Sequence, residues 1–150
     1  MKAAIQAAEK GMRKGEGGPF GACIVKGNKI LAAAHNEVLK KDATCHAEIN
    51  AIRAVSRKIK NFDLSGCEIY TTTEPCPMCF AAIHWARIKR VVYGTRIGDV
   101  AKRGFNELSI SSGAMKKKGK SSVKIEAGFL RADCLELLGE WDRLPGRQVY

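Results

Sequence analysis

Apolar positions recur with two periods along this chain. Residues 3–13 carry Ala3, Ala4, Ile5, Ala8 and Met12 at helical spacing and end at the breaker GEGGP, which predicts a first helix closed by a tight loop. FGACIVKG (20–27) and GNKILAAAHN (27–36) alternate around Gly27-Asn28 and predict a β-hairpin. Thr44 is placed to cap a helix through HAEINAIRAVSRK (46–58), with Ile49, Ile52 and Val55 marking its buried face. CEIYTTT (67–73) is β-branched and strand-like. EPCPMCFAAIHWAR (74–87) is a second helix entered through Pro75 and Pro77. KRVVYGT (89–95) and VKIEAGF (123–129) predict further strands, and RADCLELLGEWDRL (131–144) a closing helix. DVAKRGFNELSI (99–110) matches neither period, and KKKGK (116–120) is expected to be loop. The tail PGRQVY (145–150) is expected to fray by default.

Strands alternating with helices predict a three-layer α/β/α sandwich around a mixed sheet of about five strands, as one domain over 1–150. The beginning, MKAAIQAAEKGMRKG, has no uninterrupted apolar region of a signal peptide, and no apolar run reaches the ~18 residues of a membrane span. The expectation is a cytoplasmic protein away from membranes, whose six cysteines are reduced rather than paired. The net charge of +11, from 26 Lys and Arg against 15 Asp and Glu, is compatible with polyanionic partners. The basic clusters have no interleaved aromatics, so no base-stacking platform is visible.

Two short stretches carry chemistry. His46 and Glu48 fall at the start of one predicted helix, and Cys76 and Cys79 at the start of another. Imidazole nitrogen and thiolate sulfur are the ligands zinc prefers. A C-x-x-C entering a helix can aim both sulfurs at one ion, where the helix N-terminus favours thiolates. Three protein ligands leave one position open, the mark of a catalytic rather than a structural ion. Cys45 could join only by bending beside His46, and Cys23, Cys67 and Cys134 fall inside predicted elements as small apolar residues. Glu48, two residues beyond His46, can reach water on the metal without binding the metal, which is a general acid–base position. A zinc-stabilised nucleic-acid-binding module would account for the charge and the cysteines but would leave Glu48 idle.

HAE (46–48) and PCPMC (75–79) match the H-x-E…P-C-x-x-C signature of zinc-dependent nucleobase and nucleoside deaminases, and the chain resembles the cytidine-deaminase-like superfamily over nearly its whole length. The resemblance implies zinc on His46, Cys76 and Cys79, and Glu48 moving protons during hydrolysis at an amino-bearing ring carbon. Within the superfamily, GGPFGACIV (17–25), AIHWAR (82–87), GFNE (104–107) and the final tyrosine look most like guanine deaminase, which implies guanine as substrate and xanthine as product. It also implies a homodimer that exchanges residues 145–150, with Tyr150 closing the pocket. Carried over residue by residue, Asn36 would hold the base edge, Phe20 and Trp85 would flank the ring, Glu107 would accept from guanine N–H groups, and Ala47 would touch the base. The departure is GFNE where that family has GFDD, so guanosine, cytosine or another amino-heterocycle stays open. The alternative is the transfer-RNA adenosine deaminase branch, suggested by the charge, ARIKRVVYG (86–94) and the last helix. Each pocket residue also has an ordinary structural reading: core for the two aromatics, a turn for Asn36 and a loose end for Tyr150.

Overall fold

A computed structural model describes all of residues 1–150. Five strands form one mixed sheet in the order β2-β1-β3-β4-β5, with β1 Gly21–Lys26, β2 Lys29–His35, β3 Glu68–Thr73, β4 Arg90–Thr95 and β5 Lys124–Ala127. β1 runs antiparallel to β2 and β3, whereas β3, β4 and β5 are parallel. The hairpin turns at Gly27-Asn28 as the alternation requires, with Gly27 at φ +56°. The fold class predicted from the alternation of elements is the one observed.

Alternation along the strands supplies two cores. One face of the sheet (Ala22, Ile24, Ile69, Val91) packs against α2, Ala47–Ile59, and α3, Pro77–Trp85. The other face is covered by α1, Lys2–Arg13, and α6, Arg131–Arg143, whose Ala8, Met12, Leu137, Leu138 and Trp141 form a second cluster. The buried apolar stripe of α2 is Ala47, Ala51 and Val55; of the predicted set Val55 is fully buried and Ile49 and Ile52 only half-buried. Small residues at i, i+4 and i+8 let this helix lie close on the sheet. Thr44 does not cap it. His46 occupies the N-cap, and the Thr44 hydroxyl donates instead to Asp42 Oδ1 at 2.6 Å.

The segment without a clear period has a defined path. After β4 the chain forms α4, Ile97–Ala101, whose Val100 joins the α1/α6 cluster. It then forms α5, Ser112–Lys118, which touches α3 on the opposite face. Residues 102–111 therefore cross over the carboxyl ends of β3 and β4. α5 corrects the loop reading of its lysines. Ser111 accepts from Ala114 N–H at 3.1 Å as N-cap, and Lys116, Lys117 and Lys118 fall in the last turn, where cations suit the helix dipole. The tail is not frayed either: Tyr150 packs edge-on to Phe105 at 5.4 Å between ring centres.

α4 is tied to α6 by Asp99, which takes both Nη1 and Nη2 of Arg131, at 2.7 and 3.0 Å, and the Arg96 backbone N–H at 2.8 Å. The hydrogen bonds from Arg131 hold the Asp99 carboxyl at about 2, below its ordinary 3.8. Arg131 is 39% exposed, so part of this attraction is screened. Asp99→Asn is expected to cost about 1–2 kcal/mol at neutral pH, read from urea midpoints. A depressed carboxyl contributes fully above its unfolded value and loses its contribution as pH falls through about 2. The wild-type and variant midpoints should therefore converge below pH ~4.

Candidate active site

The N-termini of α2 and α3 meet at the carboxyl end of β3. His46 is the N-cap of α2 and Cys76 the N-cap of α3, and neither side chain caps its own helix. Freed from that task, they face each other, with His46 Nδ1 3.7 Å from Cys76 Sγ. Cys79, on the first turn of α3, completes a set in which the imidazole and the two sulfurs all lie within 4.8 Å of one another. Pro77 at the first helical position has no N–H to satisfy and starts the helix that brings Cys79 round. Cys45 stays outside the cluster: it is buried, and its thiol donates to Asp42 Oδ2 at 3.3 Å. Cys23, Cys67 and Cys134 are buried thiols whose titration is pushed up by burial, as small apolar residues would be.

The donor set suits zinc on its own chemistry. A hydrogen bond shared with Cys79 pulls the Cys76 thiol down to about 4, helped by His46, while Cys79 holds the shared proton and is pushed up. An ion beside both sulfurs would displace the shared proton. Glu48 stands on the first turn of α2 and is 8% exposed, and burial pushes its carboxyl up to about 7. An acid poised near neutrality beside a three-ligand site is what proton transfer to and from a reacting group requires.

The ligands open into a cavity of about 380 Å³. Its floor is His46, Glu48, Cys76, the end of β3 from Thr71 to Thr73, and Glu74 just beyond it. Its walls are Phe20, Phe105 and Met78, and its roof is Asn106, Glu107, Leu108 and Tyr150. None of the lining side chains is Lys or Arg. Phe20 and Phe105 meet edge to face at 5.1 Å. Burial raises the Glu107 carboxyl, and Cys76 adds to the rise, so this acid stands within electrostatic reach of the metal ligands. Tyr150 accepts from Gly18 N–H at 3.0 Å and donates to Asn36 Oδ1 at 2.6 Å. Asn36 is 1% exposed, and its Nδ2 has no hydrogen-bond partner. Gly17 is required beside it, because a Cβ there would collide with Asn36 Oδ1.

Three of the expected contacts do not line the cavity. Asn36 is buried and meets the Tyr150 hydroxyl instead. Trp85 is the last residue of α3, two turns from the metal ligands, and is 74% exposed outside the cavity. Ala47 is buried in the core with Ala51 and Val55, and its side chain does not line the cavity. The aromatic partner of Phe20 is Phe105, which lies in the aperiodic segment and carries no helical or strand signal of its own. Thr71, Thr72, Thr73 and Glu74 also went unrecognised, although the run TTTE leads directly into the cysteine motif.

Zinc is expected at one ion per chain. His46→Ala, Cys76→Ala and Cys79→Ala should each abolish stoichiometric binding by elemental analysis, whereas Cys45→Ala should retain it.

The comparisons agree with the geometry. Residues 1–95 match the cytidine and deoxycytidylate deaminase zinc-binding region. A guanine deaminase of Bacillus subtilis (strain 168) is 44% identical over 108 residues, covering 71% of this chain and 69% of that protein. A tRNA-specific adenosine deaminase of Buchnera aphidicola subsp. Schizaphis graminum is 36% identical over 143 residues, covering 94% and 90%. The solved structure of guanine deaminase from Nitrosomonas europaea superposes with a TM-score of 0.86 at 28% identity, over 95% of this chain and 82% of that one. With that match over residues 1–95 and His46, Cys76 and Cys79 clustered within it, the chain belongs to the cytidine and deoxycytidylate deaminase zinc-binding family and is a zinc-dependent hydrolase.

Proposed function

We propose that the protein hydrolyses guanine to xanthine and ammonia. The observation that carries this reading is the place of Glu107, a carboxyl group in the roof of the same small cavity that holds Glu48 and the metal ligands. Ring N–H groups of guanine are donors, and a carboxylate is an acceptor that rejects rings presenting lone pairs in their place. Asn36 does not itself line the cavity; its Oδ1 accepts from the Tyr150 hydroxyl at 2.6 Å and so fixes the phenol that does. Phe20 and Phe105, packed edge to face on each other, supply an apolar wall against which a flat ring can lie. A cavity of about 380 Å³ without basic side chains, covered by Tyr150, suits a free base better than a phosphate-bearing nucleotide.

Zinc, when bound, supplies a Lewis acid that activates water at neutral pH. The chain's own residues do the rest. Glu48 takes one proton of the attacking water and passes it to a ring nitrogen; it then takes the proton of the newly added hydroxyl, which becomes the carbonyl, and hands it to the departing amino group, so one water is consumed and one ammonia released. Burial under Tyr150 and the Phe105 segment keeps bulk water away from these transfers.

The +11 charge and the likeness to a tRNA-specific adenosine deaminase over 94% of this chain support one second reading, deamination of adenosine in RNA. Ammonia release from guanine, guanosine, cytosine and an RNA hairpin separates the two. Guanine is expected to react, and reaction of the hairpin alone would overturn the first reading. Glu48→Gln should keep its zinc and lose about 10²–10⁴-fold in kcat.

We further propose a cytoplasmic homodimer. α3 carries one polar side chain, His84; its Trp85 is exposed and its Met78, Ala81 and Ala82 are only partly covered within one chain, a face that suits a second copy. Tyr150 lines its own chain's pocket here, and opening the chain near Gly146 (φ +68°) would let it line a partner's instead. Mixing a Glu48→Gln chain, which retains its tail, with a Tyr150→Ala chain, which retains its acid, tests the exchange. Exchange predicts more activity than the two proteins give separately, and strict additivity would show that each tail serves its own pocket.

A further inference from the structure

Glu74 is a buried acid that neither the metal site nor the proton transfer uses. It is 7% exposed at the end of β3, two residues before Cys76. Its Oε1 accepts the Ser112 backbone N–H at 2.9 Å, and its Oε2 takes a longer contact of 3.5 Å from the Ile97 N–H. Ile97 opens α4 and Ser112 opens α5, so one carboxyl group grips both ends of the segment that carries Phe105 and Glu107. A second bond closes the clamp, Ser112 Oγ donating to the Pro75 carbonyl at 3.1 Å. On its own side, Glu74 is pinned by its N–H to the Thr95 carbonyl at 2.8 Å, and the Thr73 and Thr95 hydroxyls pair at 2.9 Å. Outside this clamp, the roof segment is held by the Asp99 and Arg103 contacts to α6 and by the Asn106 N–H, which donates to the Tyr150 carbonyl at 3.3 Å.

We infer that Glu74 is the positioning residue that sets the distance between the metal ligands and the substrate-recognising roof. This rests on the reading of Glu107 as the acid that receives the base. With both oxygens occupied by backbone N–H groups, Glu74 acts through the roof rather than on substrate. A glutamine in its place keeps the size but turns one acceptor into a donor facing an N–H, so one grip is lost. The roof would then sample positions in which Glu107 no longer meets the ring.

The test is Glu74→Gln in the zinc-loaded protein. Zinc stoichiometry is expected to hold. Amides between residues 102 and 112 should exchange hydrogen at least about tenfold faster, while the α2 and α3 amides keep their protection. For guanine, KM should rise about tenfold with kcat within about threefold, because a grip shared by ground and transition states has been removed. In a Glu107→Gln background the same substitution should move KM no further. Additive effects on KM, or uniform loss of protection across the chain, would overturn the inference. Should Glu74→Gln not fold, Ser112→Pro deletes the same N–H at a first helical position that welcomes proline, after a Ser111 already extended at ψ 153°. It should loosen the same amides, and unchanged exchange there would equally overturn the inference. If the wild-type protein leaves guanine untouched, the substrate reading fails, and the exchange experiment still decides what Glu74 does.

Discussion

Two helices that begin at one point are the constraint on which this molecule depends. α2 and α3 start at the carboxyl end of β3, and their N-cap side chains, His46 and Cys76, point at each other instead of back at their own helices. Each helix thereby gives up a side-chain cap, which ordinarily contributes about 1 kcal/mol. The gain is a converging pair of positive helix ends, where thiolates and a nearby carboxylate are favoured. Parallel pairing of β3 with β4 makes this possible, because the crossover through α3 must start where β3 ends. The small residues on the buried stripe of α2 bring its first turn close enough to close the site.

A second layer of order comes from the roof. The chain between α4 and α5 passes from one face of the sheet to the other across the strand ends, carrying Phe105 and Glu107 over the metal ligands. It is short of regular structure, so its position is set by a few specific bonds: Asp99 to Arg131, Glu74 to Ser112, and Tyr150 to Gly18 and Asn36. On the proposed reading, chemistry and recognition thus rest on different parts of the fold. The metal end is held by two helices, and the end that would select the base by a crossing segment and the tail.

That division explains what the sequence made legible. Metal ligands at helix starts leave a compact, ordered signature, and His46, Glu48, Cys76 and Cys79 could be assigned from spacing together with the zinc preference for sulfur and imidazole. The hairpin and the amphipathic helices were readable because burial on one face imposes a period. The roof has no such period: Phe105, Asn106 and Leu108 meet the pocket through tertiary contacts made far away. Trp85 was placed beside the ring by the family resemblance, yet it stands 74% exposed, and α3, apolar except for His84, does not reveal which side is covered. Lysines at 116–118 read as a loop, although they are good helix formers placed at a helix end that favours cations. The tail offered no period at all, and its order comes from one phenol meeting Asn36 and Gly18.

X-ray absorption at the zinc edge of the loaded wild-type protein addresses the metal centre most directly. The account predicts two sulfurs at about 2.3 Å and one imidazole nitrogen at about 2.0–2.1 Å, with the last position filled from outside the protein and exchanged when a base is added. Three or four sulfurs around the ion, unchanged by any base, would contradict it, because an ion closed by the chain has no place for a reactant.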